Sequence, residues 1–242
     1  MSNIVYEKYK NDNKSRDKLI NYTEQLDKFN NSTSDFILYA PIHSIQNFLA
    51  RYELIKLIKN IPGAIIEMGV YSGNGLFSLI QSHKILESEY KYREFYGFDT
   101  FNGFISINLD KDIKDINWKE GDFSSKSYDN ITNLINIHNS YYHTPVNLKL
   151  IKGDATKTVS EFLKDNKHII ISLLYLDMDI YEPTKIALKE FLPRMAKGSI
   201  IAFDELNWKS FPGETIAVLE ELGTKYKFQN ILNSHINYCV VE

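Results

Sequence analysis

Residues 169–176 read IIISLLYL, apolar except for Ser172, and the run stops abruptly at Asp177-Met178-Asp179. An unbroken apolar run this short is a strand covered on both faces, because a half-exposed strand would alternate. Such a strand belongs in a parallel sheet with helices on either side. The same signal recurs at Ala64–Glu67 (AIIE), Phe95–Phe98 (FYGF), Leu148–Ile151 and Ser199–Phe203. Between these runs the apolar spacing turns helical, at Leu76–Leu86, Lys157–Lys164, Pro183–Phe191 and Gly213–Leu222. Strands alternating with helices predict an α/β chain with a Rossmann-like, mostly parallel sheet and helices on both faces. Phe228–Leu232 and Tyr238–Val241 predict a closing antiparallel hairpin, which brings the strand count to seven. Ahead of the first strand, residues 44–60 have helical spacing and stop at Pro62-Gly63, and Leu19, Tyr22, Leu26 and Phe29 trace a weaker helical pattern.

No repeat and no Pro- or Ser-rich linker divides the 242 residues, so a single domain over 1–242 is expected, with 1–62 as an N-terminal helical extension. Residues 102–145 break the rhythm. They are polar, Asn-rich and aromatic, with Trp118, Phe123, Tyr128, Tyr141 and Tyr142. A connection of that length is a lid or carries structure of its own, and its aromatics line a ring or sugar pocket or pack beneath the loop. The formal charge of −3 argues against a nucleic-acid partner. A single cysteine, Cys239, excludes an intrachain disulfide and a cysteine zinc site, and fits a cytoplasmic compartment. No apolar run reaches 18 residues, so no membrane span is expected.

Ligands of open α/β sheets sit at the carboxyl ends of the strands, so the residues that follow each strand carry the chemistry. The first is followed by Glu67-Met68-Gly69-Val70-Tyr71-Ser72-Gly73-Asn74-Gly75. Its glycine spacing is not G-x-G-x-x-G, and Glu67 suits an ammonium better than a pyrophosphate; a tight turn without a ligand is the plain alternative. Asp99 ends the second strand, where a carboxylate can accept from two ribose hydroxyls or serve as a turn residue. Asp154, after the third, either meets an adenine amino group or caps the next helix. The fourth ends in Asp177 and Asp179, and the fifth in Asp204-Glu205. Oxygen donors on adjacent strand ends make a hard-cation site, while capping acids need no such clustering. His43 and His235 read as structural histidines.

At these residues the chain resembles the class I S-adenosylmethionine-dependent methyltransferases. More narrowly it resembles the macrocin O-methyltransferase group, which methylates sugar hydroxyls. The segments that carry the likeness are IIEMGVYSGNG, FYGFDTFNGF, LIKGDAT, LLYLDMDIYEPT and IIAFDELNWKSFPGE, in order over residues 64–214. The resemblance implies that Glu67, Met68, Gly69, Tyr71, Ser72 and Gly73 hold the methionine end of the cofactor. Asp99 would bind its ribose, Thr100 and Phe101 border the adenosine, and Asp154 and Ala155 contact the adenine, with Asp177 also beside the cofactor. Asp177, Asp204 and Glu205 would hold magnesium. Asp179 is the implied general base and His235 its rival. The second acidic pair departs from the Asp-Asp of the best-known members, which keeps oxygen ligation but changes reach by one methylene.

The implied activity is magnesium-dependent O-methylation of a sugar, on a nucleotide-activated deoxysugar or a glycoside, by a cytoplasmic enzyme with no membrane partner that is open to homo-oligomer formation. A catechol-type methyltransferase shares the vicinal-diol chemistry. An inactive scaffold of the same fold has no use for clustered acids, and a nicotinamide oxidoreductase is disfavoured by the glycine spacing.

Overall fold

A computed structural model describes residues 36–87, 93–113, 118–140 and 142–242. The helix expected over Leu19–Phe29, and Tyr141, lie outside the described residues. The chain divides into two compact units, Met1–Leu49 and Ala50–Glu242. The described part of the first unit holds the short helix α1 (Phe36–Tyr39) and the opening turns of α2 (Ile42–Leu57).

The second unit is built on seven strands: β1 (Ala64–Met68), β2 (Glu94–Asp99), β3 (Asn147–Lys152), β4 (Ile171–Leu176), β5 (Met195–Phe203), β6 (Gln229–Asn230) and β7 (Asn237–Val240). Their order in the sheet is β3-β2-β1-β4-β5-β7-β6. The first five are parallel, β7 runs antiparallel to β5, and β6 antiparallel to β7. The expected parallel sheet with an antiparallel close is therefore present. Chain order reverses between β1 and β4, which makes their carboxyl ends the topological switch point where α/β sheets bind ligands.

The pleat sorts the strand residues onto two helical layers. Ala64, Ile66, Met68, Leu174, Leu176, Ile201 and Phe203 pack with α5 (Ala155–Asp165), α6 (Tyr181–Phe191) and α7 (Pro212–Glu221). Ile65, Leu173, Tyr175, Ile200 and Ala202 face the other way, onto Ala50, Leu54 and Ile55 of α2, Leu76 and Leu79 of α3 (Asn74–Leu86) and Ile131 of α4 (Tyr128–Asn139). All six residues of β4 are buried, as an unalternating apolar run requires. At the amino end of the sheet Arg93 uses all five of its donors: on both oxygens of Glu87, on the carbonyls of Ile58 and Gly63, and on Ser172 Oγ. That network ties α2, β1, α3 and β4 together away from the ligand edge.

Two departures from the sequence expectation go beyond a shift of a residue or two at an element's end. Strand β5 begins at Met195, where it pairs with Ile171, rather than at Ser199. The insert contains a helix, α4, that its Asn-rich composition conceals, since only Ile131 and Ile135 of its twelve residues are buried.

Candidate active site

The glycine loop after β1 is shaped by Asp99 at the end of β2. Asp99 Oδ2 accepts from the backbone N–H groups of Val70 (2.8 Å) and Tyr71 (2.7 Å), and Oδ1 from that of Phe101 (2.5 Å). One carboxylate thus fixes both loops at the switch point. Gly69 adopts φ 93°, and a Cβ there would lie 1.7 Å from the carbonyl oxygen of Asp177, so the loop crosses the end of β4 in backbone contact. Tyr71 takes a left-handed φ of 50° and leaves its ring half exposed beside Phe123. Thr100 Oγ1 donates to the Gly103 carbonyl, and Phe101 is buried against Tyr128. Met68 and Ala155 are core residues.

Glu67 lies under this loop, 1% exposed, and neither carboxylate oxygen has a hydrogen-bond partner among the described residues. Burial pushes its carboxyl up to about 8, against the pull of Arg51. An acid buried in this way costs several kcal/mol when charged, which selects for a cationic ligand or partner. Asp154 caps α5, its Oδ1 accepting from Thr156 N at 2.9 Å and Thr156 Oγ1 at 2.7 Å. Its Oδ2 lies 4.0 Å from Lys157 Nζ.

Strands β4 and β5 bring the remaining acids together. Asp177, Asp179 and Glu205 each offer an oxygen within 4.8 Å of the others. Asp179 is placed by a left-handed φ of 62°, uncommon for a residue with a Cβ. Burial and the negative charge of Asp204 push its carboxyl up to about 8, a hydrogen bond with Glu205 opposing. Asp177 and Glu205 are raised well above the carboxylate range, by burial first and by Asp204 next. Glu205 Oε2 is buried without a hydrogen-bond partner among the described residues. Converging hard oxygens that repel one another fit a divalent cation such as magnesium.

Asp204 turns to a different set of partners. It accepts from Tyr175 Oη and from His235 Nε2 (3.0 Å), and Arg51 Nη2 lies 3.8 Å away. Burial alone would raise its carboxyl, but the charge and hydrogen bond of His235, Arg51 and Tyr175 hold it below the usual range. His235 is raised in return: desolvation lowers it, and the hydrogen bond and charge of Asp204 together more than offset that. A carboxylate on Nε2–H leaves Nδ1 as the basic nitrogen of a neutral imidazole.

Three contributors were not among the predicted site residues. Arg51 is 5% exposed, sits 4.5 Å over the Tyr175 ring and reaches Asp177 Oδ2 at 3.5 Å, so it is an internal counter-cation for the acids. Its signal was in the sequence: with Leu54, Ile55 and Ile58 it falls on the apolar stripe of α2. Glu214, fully buried, accepts from Glu205 N at 3.1 Å and places that residue. Asp112, in the insert, has no pattern that distinguishes it from a solvated charge. The aromatics of the insert pack on the loop that follows β5: Trp118 stacks on Phe211 at 4.8 Å and donates to the Ser210 carbonyl, with Phe104 and Phe123 beside it.

The sequence profile of the Macrocin-O-methyltransferase (TylF) family matches residues 43–232, and the chain belongs to that family. Among solved structures, the crystal structure of CalS11, a calicheamicin methyltransferase, is 26% identical with a TM-score of 0.84, covering 94% of this chain and 91% of that one. An apo structure of CalS11, described as a TDP-rhamnose 3'-O-methyltransferase, is 26% identical with a TM-score of 0.77, covering 94% and 93%. The O-methyltransferase NovP shares the fold at 16% identity and a TM-score of 0.54, over 81% of this chain and 80% of that one. No curated protein sequence matches. The chain is thus a methyltransferase enzyme of the class I fold.

Proposed function

We propose that this enzyme methylates a hydroxyl of a sugar, carried on a nucleotide or in a glycoside, using S-adenosylmethionine and magnesium. The observation that carries the reading is the convergence of Asp177, Asp179 and Glu205 beside the loop that Asp99 organises, in a chain of this family. Support for the acceptor class comes from CalS11, whose description is a TDP-rhamnose 3'-O-methyltransferase. Glu67, without a hydrogen-bond partner among the described residues and under a loop that approaches β4 too closely for a side chain, fits the ammonium end of the cofactor. The three converging acids fit magnesium, with Asp204 behind them.

When bound, the sulfonium cofactor supplies an electrophilic methyl group, and magnesium supplies a Lewis acid that lowers the pKa of a coordinated hydroxyl. The chain's own part is to bind, orient and deprotonate. Asp99 holds the ribose through the one acceptor site its three backbone bonds leave. The insert, seated over the strand ends, excludes water. Asp179 would take the hydroxyl proton on the carboxylate oxygen it does not offer to the cation. A second reading gives that proton to His235 Nδ1, and the Asp204–His235 hydrogen bond favours it. The two separate cleanly. His235→Asn that keeps magnesium and cofactor-product binding but loses turnover assigns the proton to His235; retained turnover leaves it with Asp179.

The test of the function is calorimetric titration with S-adenosylhomocysteine and then with dTDP-linked deoxysugars, each with magnesium and with EDTA, followed by methyl-transfer assays. Binding of S-adenosylhomocysteine, with sugar binding only in magnesium, is the expected result. Turnover of simple catechols but not of sugar nucleotides would replace the acceptor class. Absence of S-adenosylhomocysteine binding would overturn the reading.

A further inference from the structure

Asp112 is the one buried acid among the described residues of the polar insert, 1% exposed between Lys111 and Ile113. Its Oδ2 accepts from Asn108 N at 2.7 Å, closing a local turn. Its Oδ1 accepts from Tyr181 N at 2.7 Å, the first N–H of α6. The residue that precedes α6, Ile180, has no side chain that can cap it. Asp112 therefore supplies the missing cap from 69 residues away, at the positive end of the helix. Tyr181 stands two positions after Asp179. Between them the chain makes a tight turn, Ile180 N donating to Met178 O at 2.6 Å, with Asp179 in its left-handed conformation. The start of α7 is shaped around the same carboxylate. A Cβ on Gly213 would lie 1.9 Å from Asp112 Oδ1 and 2.6 Å from Tyr181 N, and the next residue, Glu214, is the acceptor for Glu205 N. One oxygen of the insert is thus wedged between the loop that places Asp179 and the turn that places Glu205.

The rest of the insert closes around this point. Asn108 Nδ2 donates to Glu182 at 3.1 Å, and Lys111 pairs with Glu220 at 2.7 Å while lying over the Tyr181 ring. At its other end Ser127 Oγ donates to the Tyr71 carbonyl and Lys126 N to the Phe101 carbonyl, which are the loops of β1 and β2. The insert therefore reaches from the glycine loop to the acid cluster.

We propose that Asp112 is a positioning residue, a latch through which seating of the insert sets the geometry of Asp179 and Glu205, so that the acids are assembled for a cation and an acceptor only beneath a seated insert. The inference rests on the proposed function, since it concerns the same acids.

The test compares Asp112→Ala, Asp112→Asn and the wild type, all well below their melting temperatures. Four readouts are taken: S-adenosylhomocysteine affinity by calorimetry, Mn2+ affinity by electron paramagnetic resonance, amide exchange at Tyr181, and kcat against KM for the sugar nucleotide. Asp112→Ala removes a charge-assisted bond and should weaken Mn2+ and lower kcat, each about tenfold or more, with fast exchange at Tyr181 and S-adenosylhomocysteine affinity within about twofold of wild type. Asp112→Asn keeps an acceptor for Tyr181 N but sets its amide against Asn108 N, so it should restore part of the Mn2+ affinity and kcat that Asp112→Ala loses. A merely structural role would lower the melting temperature and leave Mn2+ affinity and kcat alone, and that result overturns the proposal. Equal losses in the two variants overturn it as well. Magnesium-stimulated turnover in the wild type with unchanged Asp112→Ala sinks the latch and spares the function. A wild type that neither binds Mn2+ nor turns over sinks both.

Discussion

Asp99→Asn tests the organising claim of the site with the smallest change. Three backbone N–H groups converge on the carboxylate, two on Oδ2 and one on Oδ1, at 2.5–2.8 Å. Asparagine has one carbonyl oxygen and an amide that only donates. With its oxygen in the place of Oδ2, the amide meets Phe101 N–H; reversed, it meets those of Val70 and Tyr71. At least one donor is stranded in either case, and the surviving bonds lose their charge. A charge-assisted bond is worth about 1.5–3 kcal/mol and a neutral one about 1, so the sum is about 3 kcal/mol once water at exposed Tyr71 is allowed for. For a domain of this size that is a fall of about 6–12 °C in melting temperature. Loss of one charge-assisted bond to the ribose would add an affinity drop for S-adenosylhomocysteine of about 10–100-fold, measured by calorimetry well below the melting point. A variant that melts within about 1 °C of wild type would refute the claim that Asp99 holds the two loops. One that melts early but binds S-adenosylhomocysteine normally would refute the ribose contact alone.

Removing the cation should expose the strain of the acid cluster. Asp179 and Glu67 are pushed to about 8, and Asp177, Glu205 and Glu214 are raised, so in EDTA the folded chain binds more protons than the unfolded chain above the ordinary carboxylate range near 4. Stability therefore falls as pH rises from about 5 to 8, and magnesium should flatten that slope; melting curves that ignore both pH and magnesium would contradict it. Asp177→Asn should abolish magnesium stimulation and most turnover while S-adenosylhomocysteine still binds, and normal magnesium-stimulated turnover would remove Asp177 from the site. Gly69→Ala sets a Cβ 1.7 Å from a backbone oxygen at a positive φ, so it should cost more than about 4 kcal/mol and yield little folded protein, whereas Gly121→Ala, with a similar φ and open space around it, should stay folded. Soluble expression and melting separate the two.

What was legible in the sequence is what is local along the chain. The glycine loop, Asp99 and the two acidic pairs each follow an apolar run directly, so their place at the carboxyl edge follows from strand assignment alone. Which acids face one another is not local. After Asp177 the direction of each side chain depends on a left-handed Asp179 and on a helix start that Asp112 fixes from a distant loop. The spacing D-x-D sets Asp177 and Asp179 one pleat apart, but it could not show that Glu205 joins them, or that Asp204 turns to Tyr175 and His235. Helix α4 was hidden for a different reason: its asparagines favour turns, and only two of its residues are buried.

Arg51 shows where sequence reasoning can reach further. A guanidinium on the apolar stripe of an amphipathic helix must find a buried partner, since an unpaired charge there is prohibitively costly. The clustered acids at the strand ends must equally find a cation. Those two needs together pair Arg51 with the β4 and β5 acids, as the 3.5 Å and 3.8 Å contacts to Asp177 and Asp204 do. One arginine does not neutralise Glu67, Asp177, Asp179, Asp204, Glu205 and Glu214, even with His235 protonated. Fully ionised, these acids would outnumber the cations that Arg51 and His235 set against them, which supports the proposed completion of the site by positive charge from outside: a divalent ion at the acids and the ammonium of a cofactor beside Glu67.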